Sequence, residues 1–232
     1  MYRDNSLLSK EQTKIRTVLF DLDGTLADTA PDLAHALNLL LVEEGKTALP
    51  YETIRPEVSH GASALVTLGF GKKPGDPDFD RLRQRFLALY TENLCRHTRL
   101  FDGIPSLLQA LQKRGMNWGV VTNKPAFLTD PLMAQLRPEP APACVVSGDT
   151  VPNRKPHPEP MLHACTAAGS RPEQCLYVGD AERDILAGRH AGMKTLVALF
   201  GYINGHETPE RWGADGMIRA PGDILDWLKQ DE

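Results

Sequence analysis

Basic charge is in short supply: 26 Lys and Arg stand against 30 Asp and Glu, a formal net charge of −4. That leaves no basic footprint for nucleic acid and excludes it as an expected partner. Long apolar runs are missing too. The densest, residues 37–42, falls far short of a membrane span, so no membrane partner is expected. Residues 1–14 are polar and charged and lack the apolar core of a signal peptide; residues 1–13 read as an N-terminal extension. Cysteine is scarce. Cys95, Cys144, Cys165 and Cys175 are irregularly spaced, and none forms a C-x-x-C pair, which argues against zinc and redox motifs. Three of the four lie in apolar strand- or helix-like stretches, as reduced buried thiols of a cytosolic, and hence cytoplasmic, protein do. There is no internal repeat.

What is present is ordinary for a globular chain: 232 residues, 41% hydrophobic and 24% charged, enough for one large domain or a domain plus a small one. From about residue 101, helical and strand patterns alternate. Residues 104–114 place Leu107, Leu108 and Leu111 at helical spacing, with Pro105 in the first turn and Gly115 beyond the end. Strands follow at 117–121, 144–146, 175–178 and 195–199, with a helix carrying Leu128, Leu132 and Leu136 and ended by Pro138, and further helices at about 158–168, 182–191 and from 223. The pattern predicts an α/β fold, a Rossmann-like parallel sheet flanked by helices. Residues 31–99 break it. Leu33, Ala36, Leu37, Leu40 and Leu41 follow the helical rule, as do Phe79, Leu82, Phe86, Leu89, Tyr90 and Asn93, and residues 51–70 read as two shorter helices. No strand is evident there. The expectation is a core of residues 14–29 and 101–232 interrupted by an all-helical insertion, residues 30–100, forming a smaller second domain.

The segment Asp21-Leu22-Asp23-Gly24-Thr25 follows the apolar run Thr17-Val18-Leu19-Phe20, which reads as a buried strand. Two carboxylates at i, i+2 on a buried strand end are costly unless something cationic holds them. A turn explains Asp23-Gly24 but gives no reason for Asp21 or Thr25. In open parallel sheets ligands bind outside the carboxyl ends of strands, so polar residues that directly follow apolar strands are the candidates. Thr122-Asn123 follows Gly119-Val120-Val121. Gly179-Asp180 follows Leu176-Tyr177-Val178, with Asp184 four residues on and on the same helix face. Lys155 is placed at the start of the helix after the third strand. Each alone has a plain structural explanation: Thr122, Asn123 and Asp180 as helix caps, Lys155 as a solvated lysine. Asp28 reads as a cap for the helix beginning near Pro31. Asp149 repeats the strand-Gly-Asp pattern without a second acid at i+4 and ranks below Asp180. Lys124 competes with Lys155 for the cationic role.

Together these motifs resemble the haloacid dehalogenase superfamily of phosphotransferases, whose members carry D-x-D-G-T, a Thr or Ser after the second strand, a Lys, and G-D-x-x-x-D. The likeness covers nearly the whole chain after Lys14, and the insertion matches the helical-bundle cap of one subclass. It implies a phosphomonoester hydrolase in which Asp21 is the nucleophile and Asp23 the acid and base. It also implies that Mg²⁺ is held by Asp21, the Asp23 main-chain carbonyl and Asp180, with Asp184 orienting a metal-bound water. Thr122 and Asn123 bind phosphate and Lys155 offsets charge; Thr25, within the first motif, joins the phosphate-binding set. Charge counting supports a cation independently. Three ionised acids and a phosphomonoester repel by roughly 4 kcal/mol per pair at close range in an effective dielectric of 20, more than Lys155 alone offsets. The Asp at position 23 disfavours dehalogenation.

Specificity is expected in the insertion, at residues 55–62, where Arg55 and His60 could meet an acidic or hydroxylated substrate. Gly61 either allows close backbone approach there or merely separates two helices. Within the superfamily the chain resembles the phosphoglycolate phosphatase branch. The segments around Trp118–Pro125, Gly201-Tyr202-Ile203 and Trp212-Gly213-Ala214-Asp215 look closer still to phosphatases of N-acetylmuramic acid 6-phosphate. The partner implied is a small phosphorylated acid or sugar. A phosphomutase or a non-catalytic phosphate-binding module are the rival readings, and the latter has no use for Asp23.

Overall fold

The computed structural model describes residues 14–230. Six strands form one parallel sheet in the order β5-β4-β1-β6-β7-β8: β1 (Thr17–Phe20), β4 (Asn117–Val121), β5 (Cys144–Val146), β6 (Cys175–Gly179), β7 (Lys194–Ala198) and β8 (Gly216–Ile218). The predicted α/β sheet is thus present. β1 lies centrally between β4 and β6, with Phe20 level with Val120 and Val178. All four β1 side chains are buried, as a central strand covered on both faces requires. This register brings the ends of β1, β4 and β6 to one edge, where the acids sit. The flanking helices are α5 (Ile104–Lys113), α6 (Ala126–Leu136), α7 (Glu159–Ala167), α8 (Glu182–His190) and α9 (Asp223–Gln230). No helix among the described residues is long and apolar enough to cross a membrane. The N-terminal extension lies outside the described residues.

Between β1 and α5 the chain makes α1 (Ala30–Glu43), α2 (Tyr51–Ile54), a 3-10 turn (Arg55–His60), α3 (Gly61–Phe70) and α4 (Phe79–Glu92). Two short strands, β2 (Ala27–Asp28) and β3 (Arg99–Leu100), pair antiparallel where this helical insertion leaves and rejoins the sheet. The sequence shows neither, because two residues carry no periodicity. The apolar stripe of α4 is buried as its spacing predicts, through Phe79, Leu82, Phe86, Leu89 and Tyr90. It packs in one continuous apolar cluster with α1 residues such as Leu33 and Leu37 and with Val18 and Phe20 of β1.

Asp28 does not cap α1. Its carboxylate accepts from the Tyr202 hydroxyl (2.7 Å), whose oxygen in turn accepts from the N–H groups of Thr29 (2.7 Å) and Ala30 (3.0 Å). A tyrosine distant in sequence therefore satisfies the first orphan donors of α1. Asp32, in the first turn, is fully buried and accepts from the N–H groups of His97 and Thr98 and from the Thr98 hydroxyl, tying the two ends of the insertion together. Lys155 also lies elsewhere than expected: α7 begins only at Glu159, and Lys155 sits in the preceding loop. Asp149, ranked below Asp180, has a structural task, accepting from the Ala126 N–H at the start of α6 (2.8 Å).

Candidate active site

The strand ends converge as the spacing predicts. Lys155 is buried and its Nζ lies 2.9 Å from Asp21 Oδ1 and 2.8 Å from Asp184 Oδ1. It also donates to the Val121 carbonyl (2.9 Å) and the Tyr177 hydroxyl (2.8 Å), and Tyr177 donates to the same carbonyl. An ammonium this enclosed is tolerable because two carboxylates face it. Asn123 positions it: the amide donates to the Lys155 carbonyl and accepts from the Lys155 N–H, both at 3.0 Å. Neither Thr122 nor Asn123 caps α6; the Thr122 hydroxyl accepts from the Lys124 N–H (3.2 Å).

Asp184 Oδ2 accepts from the Ala181 N–H (3.1 Å), so Asp184 takes the capping role at α8 and leaves Asp180 free of it. Asp180 Oδ2 accepts from the Ser59 hydroxyl (2.7 Å) and the Tyr202 N–H (2.8 Å), while its Oδ1 is buried without a hydrogen-bond partner among the described residues. Burial foremost, then the charges of Asp184 and Asp21, push the Asp180 pKa up to about 7. Gly24, at φ 81°, has no room for a side chain, since a Cβ would overlap Asp180 Oδ2. Thr25 is fully buried, and its hydroxyl too lacks a partner among the described residues.

One ligand oxygen each from Asp21, Asp180 and Asp184 lies within 4.8 Å of the others. Three buried carboxylates, of which Lys155 faces Asp21 and Asp184 while Asp180 keeps an orphaned oxygen, fit a hard divalent cation: the donor set is all oxygen and one lysine does not balance its charge. The residues present fit that cofactor.

Asp23 stands apart from this cluster. Its Oδ1 accepts from the Thr29 hydroxyl (2.6 Å) and from Lys124 Nζ (2.9 Å). Lys124, buried, also donates to the Tyr90 hydroxyl (3.0 Å) and lies 4.6 Å from the centre of its ring. Burial opposes the Lys124 charge, but Asp23 and Tyr90 outweigh it and hold the ammonium above its ordinary pKa. The two lysines do not compete: one serves Asp21 and Asp184, the other Asp23.

Above these groups lies a cleft of about 470 Å³ between the strand ends and the insertion, lined among others by Asp21, Asp23, Thr122, Asn123, His60 and Gly61. Arg55 is not brought into it. Its guanidinium donates to the carbonyls of Gly201 and Phe200 and stacks over Tyr202, 4.9 Å from the ring centre. Among the lining residues not singled out from the sequence are Ser59, Arg183 and Arg83. Ser59 reaches Asp180, Arg183 donates to the Ser59 carbonyl (2.7 Å), and Arg83 faces the cleft from α4. Arg183 stands in the first turn of α8, next to Asp184, and only that proximity in sequence pointed to it. Arg83 has no such signal.

A parallel sheet with an acid cluster at its strand ends, interrupted after the first strand by helices that roof the cluster, defines a class of hydrolase built for phosphoryl chemistry. The sequence profile of the haloacid dehalogenase-like hydrolase family matches residues 18–198, and the chain belongs to that family. An N-acetylmuramic acid 6-phosphate phosphatase of Pseudomonas aeruginosa is 40% identical over 94% of this chain and 96% of its own length. A phosphoglycolate phosphatase of Xanthomonas campestris is 42% identical over 89% and 93%. Among solved structures, one from Haemophilus somnus described as a predicted phosphoglycolate phosphatase superimposes with a TM-score of 0.80 at 29% identity, covering 92% of this chain and 97% of that one. Phosphatase chemistry is what the chain shares with these relatives.

Proposed function

We propose that the chain is a Mg²⁺-dependent phosphomonoester hydrolase working through an aspartyl-phosphate, with a small phosphorylated acid or sugar such as 2-phosphoglycolate or N-acetylmuramic acid 6-phosphate as substrate. The observation that carries this is the separation of the two acids of one pentapeptide. Asp21 belongs to the buried cluster with Lys155, while Asp23 is held apart by Lys124 and Thr29 at the cleft floor.

Asp21, oriented by Lys155 and by the Leu22 N–H on its Oδ1 (2.7 Å), attacks phosphorus as the bond to the leaving oxygen breaks. Asp23 gives that oxygen its proton, and Lys124 and Thr29 fix its carboxyl in place. Water then attacks the phosphorus of the aspartyl-phosphate, passing a proton to Asp23, and phosphate leaves as Asp21 is restored. Thr122 and Asn123 line the cleft beside Asp21 and serve the phosphate oxygens, and the orphaned Thr25 hydroxyl belongs to this set. Asp21, Asp180 and the Asp23 main-chain carbonyl would hold Mg²⁺, with Asp184 behind them. The bound cation supplies positive charge to the phosphate oxygens. His60 and Gly61 roof the leaving-group side, and the helical insertion acts as a cap domain. Chelation should abolish phosphate release and added Mg²⁺ restore it; full turnover in excess chelator contradicts the reading.

A further inference from the structure

The helix α4 carries three arginines in its first half, and their surroundings differ. Arg81 pairs with Glu44 and Arg85 with Glu43, on the outer face of the insertion. Arg83 lies between them in sequence and turns the other way, into the cleft, half-buried and without an ion-pair partner among the described residues. Phe86, Leu87 and Tyr90 follow at i+3, i+4 and i+7 and line the same cleft, so one helix face forms a wall that is cationic at one end and apolar in the middle. Tyr90 marks the other end, because its hydroxyl meets the Lys124 ammonium that holds Asp23. Seven residues of helix separate Arg83 from Tyr90, a rise of about 10 Å, and the tilt of helical side chains toward the N-terminus carries Arg83 further from the reacting atoms. From the opposite side Phe127 and Leu128 complete the apolar middle.

We infer that Arg83 is a specificity-determining residue that binds a carboxylate on the leaving group, and that the cleft selects phosphorylated acids whose two anions are separated by a spacer the size of a sugar ring. The inference rests on the phosphatase reading and narrows its substrate. In 2-phosphoglycolate, phosphorus and carboxyl carbon are three bonds apart, about 4 Å as for neighbouring Cα atoms, well short of the roughly 10 Å of helix between Tyr90 and Arg83. A hexosamine 6-phosphate with a carboxylate on the far side of the ring spans it, its ring lying against Phe86 and Phe127. Nothing in the phosphoryl-transfer step needs a cation at that distance, so Arg83 answers to the leaving group alone.

The test compares kcat/KM on three compounds: N-acetylmuramic acid 6-phosphate, N-acetylglucosamine 6-phosphate, which keeps the ring but lacks the carboxylate, and 2-phosphoglycolate. The wild type is expected to prefer the first. Arg83→Gln should lower kcat/KM on it tens-fold, mainly through KM, as loss of a charge-assisted hydrogen bond predicts, and leave N-acetylglucosamine 6-phosphate within about twofold. Arg83→Lys should recover part of the loss, showing that the fold is intact. Equal losses on both sugars, or a wild-type preference for 2-phosphoglycolate, would overturn the inference while leaving the phosphatase reading standing. Inactivity of the wild type on every phosphomonoester would overturn that reading, and this one with it.

Discussion

Asp180 shows at the scale of one residue why a cation belongs here. Burial and the charges of Asp184 and Asp21 push its carboxyl from an ordinary 3.8 up to about 7, so between those values the folded chain without cation holds a proton that the unfolded chain has released. Stability from this group is therefore complete below about pH 4 and is lost as pH rises through about 7. On the proposed reading, a divalent cation would replace that proton. Thermal melts of the cation-free protein should show stability falling from pH 5 to pH 8, and Mg²⁺ should raise the midpoint more at pH 8 than at pH 6. An equal Mg²⁺ shift at both values would remove Asp180 from the cation site. Asp21 and Asp180 were readable in the sequence because each directly follows an apolar strand, and Asp23 and Asp184 by their spacing from them. The cations were only partly so. Lys155 and Lys124 sit in loops whose periodicity says nothing about direction, and their division of labour depends on which carboxylate each one faces.

Single elements were legible where they are long or buried. The strand Asn117–Val121 and the apolar stripe of α4 follow from pattern alone, because one is buried on nearly its whole length and the other keeps a helical spacing. The ribbon of β2 and β3 and the edge strand β8 are two or three residues long and have no pattern to read. The start of α1 was misread for a different reason. Its cap is Tyr202, 172 positions from Ala30, and the nearby Asp28 only accepts the tyrosine's hydrogen bond. Tyr202→Phe should strand the N–H groups of Thr29 and Ala30 and leave Asp28 without its donor. The expected cost is about 1–3 kcal/mol, read as a lower urea midpoint with an unchanged slope. An unchanged midpoint would show that water serves these donors as well.

At the scale of the whole molecule, the insertion and the sheet share an apolar cluster and the Lys124–Tyr90 contact, and further polar contacts tie them around one loop. Arg55 grips the Phe200 and Gly201 carbonyls and covers Tyr202, Ser59 reaches Asp180, and Arg183 holds the Ser59 carbonyl. Arg55 was expected to meet substrate; the structure assigns it to this seam, which no local pattern could reveal because its partners are about 145 residues away. Arg55→Ala should loosen the roof of the cleft, lowering kcat/KM about tenfold while leaving the cation-dependent rise in melting temperature in place. Unchanged kinetics would mean the other contacts suffice.

The account turns on Asp21 forming a covalent bond to phosphorus while Asp23 handles the protons. The most direct measurement is rapid acid quench of the Asp23→Asn variant with Mg²⁺ and a phosphomonoester bearing a good leaving group, which needs no acid to depart, followed by peptide mass mapping. The account predicts a phosphate adduct on the peptide carrying Asp21, absent when Asp21 is also replaced by Asn. Phosphate release without any adduct, or an adduct on another residue, would contradict it.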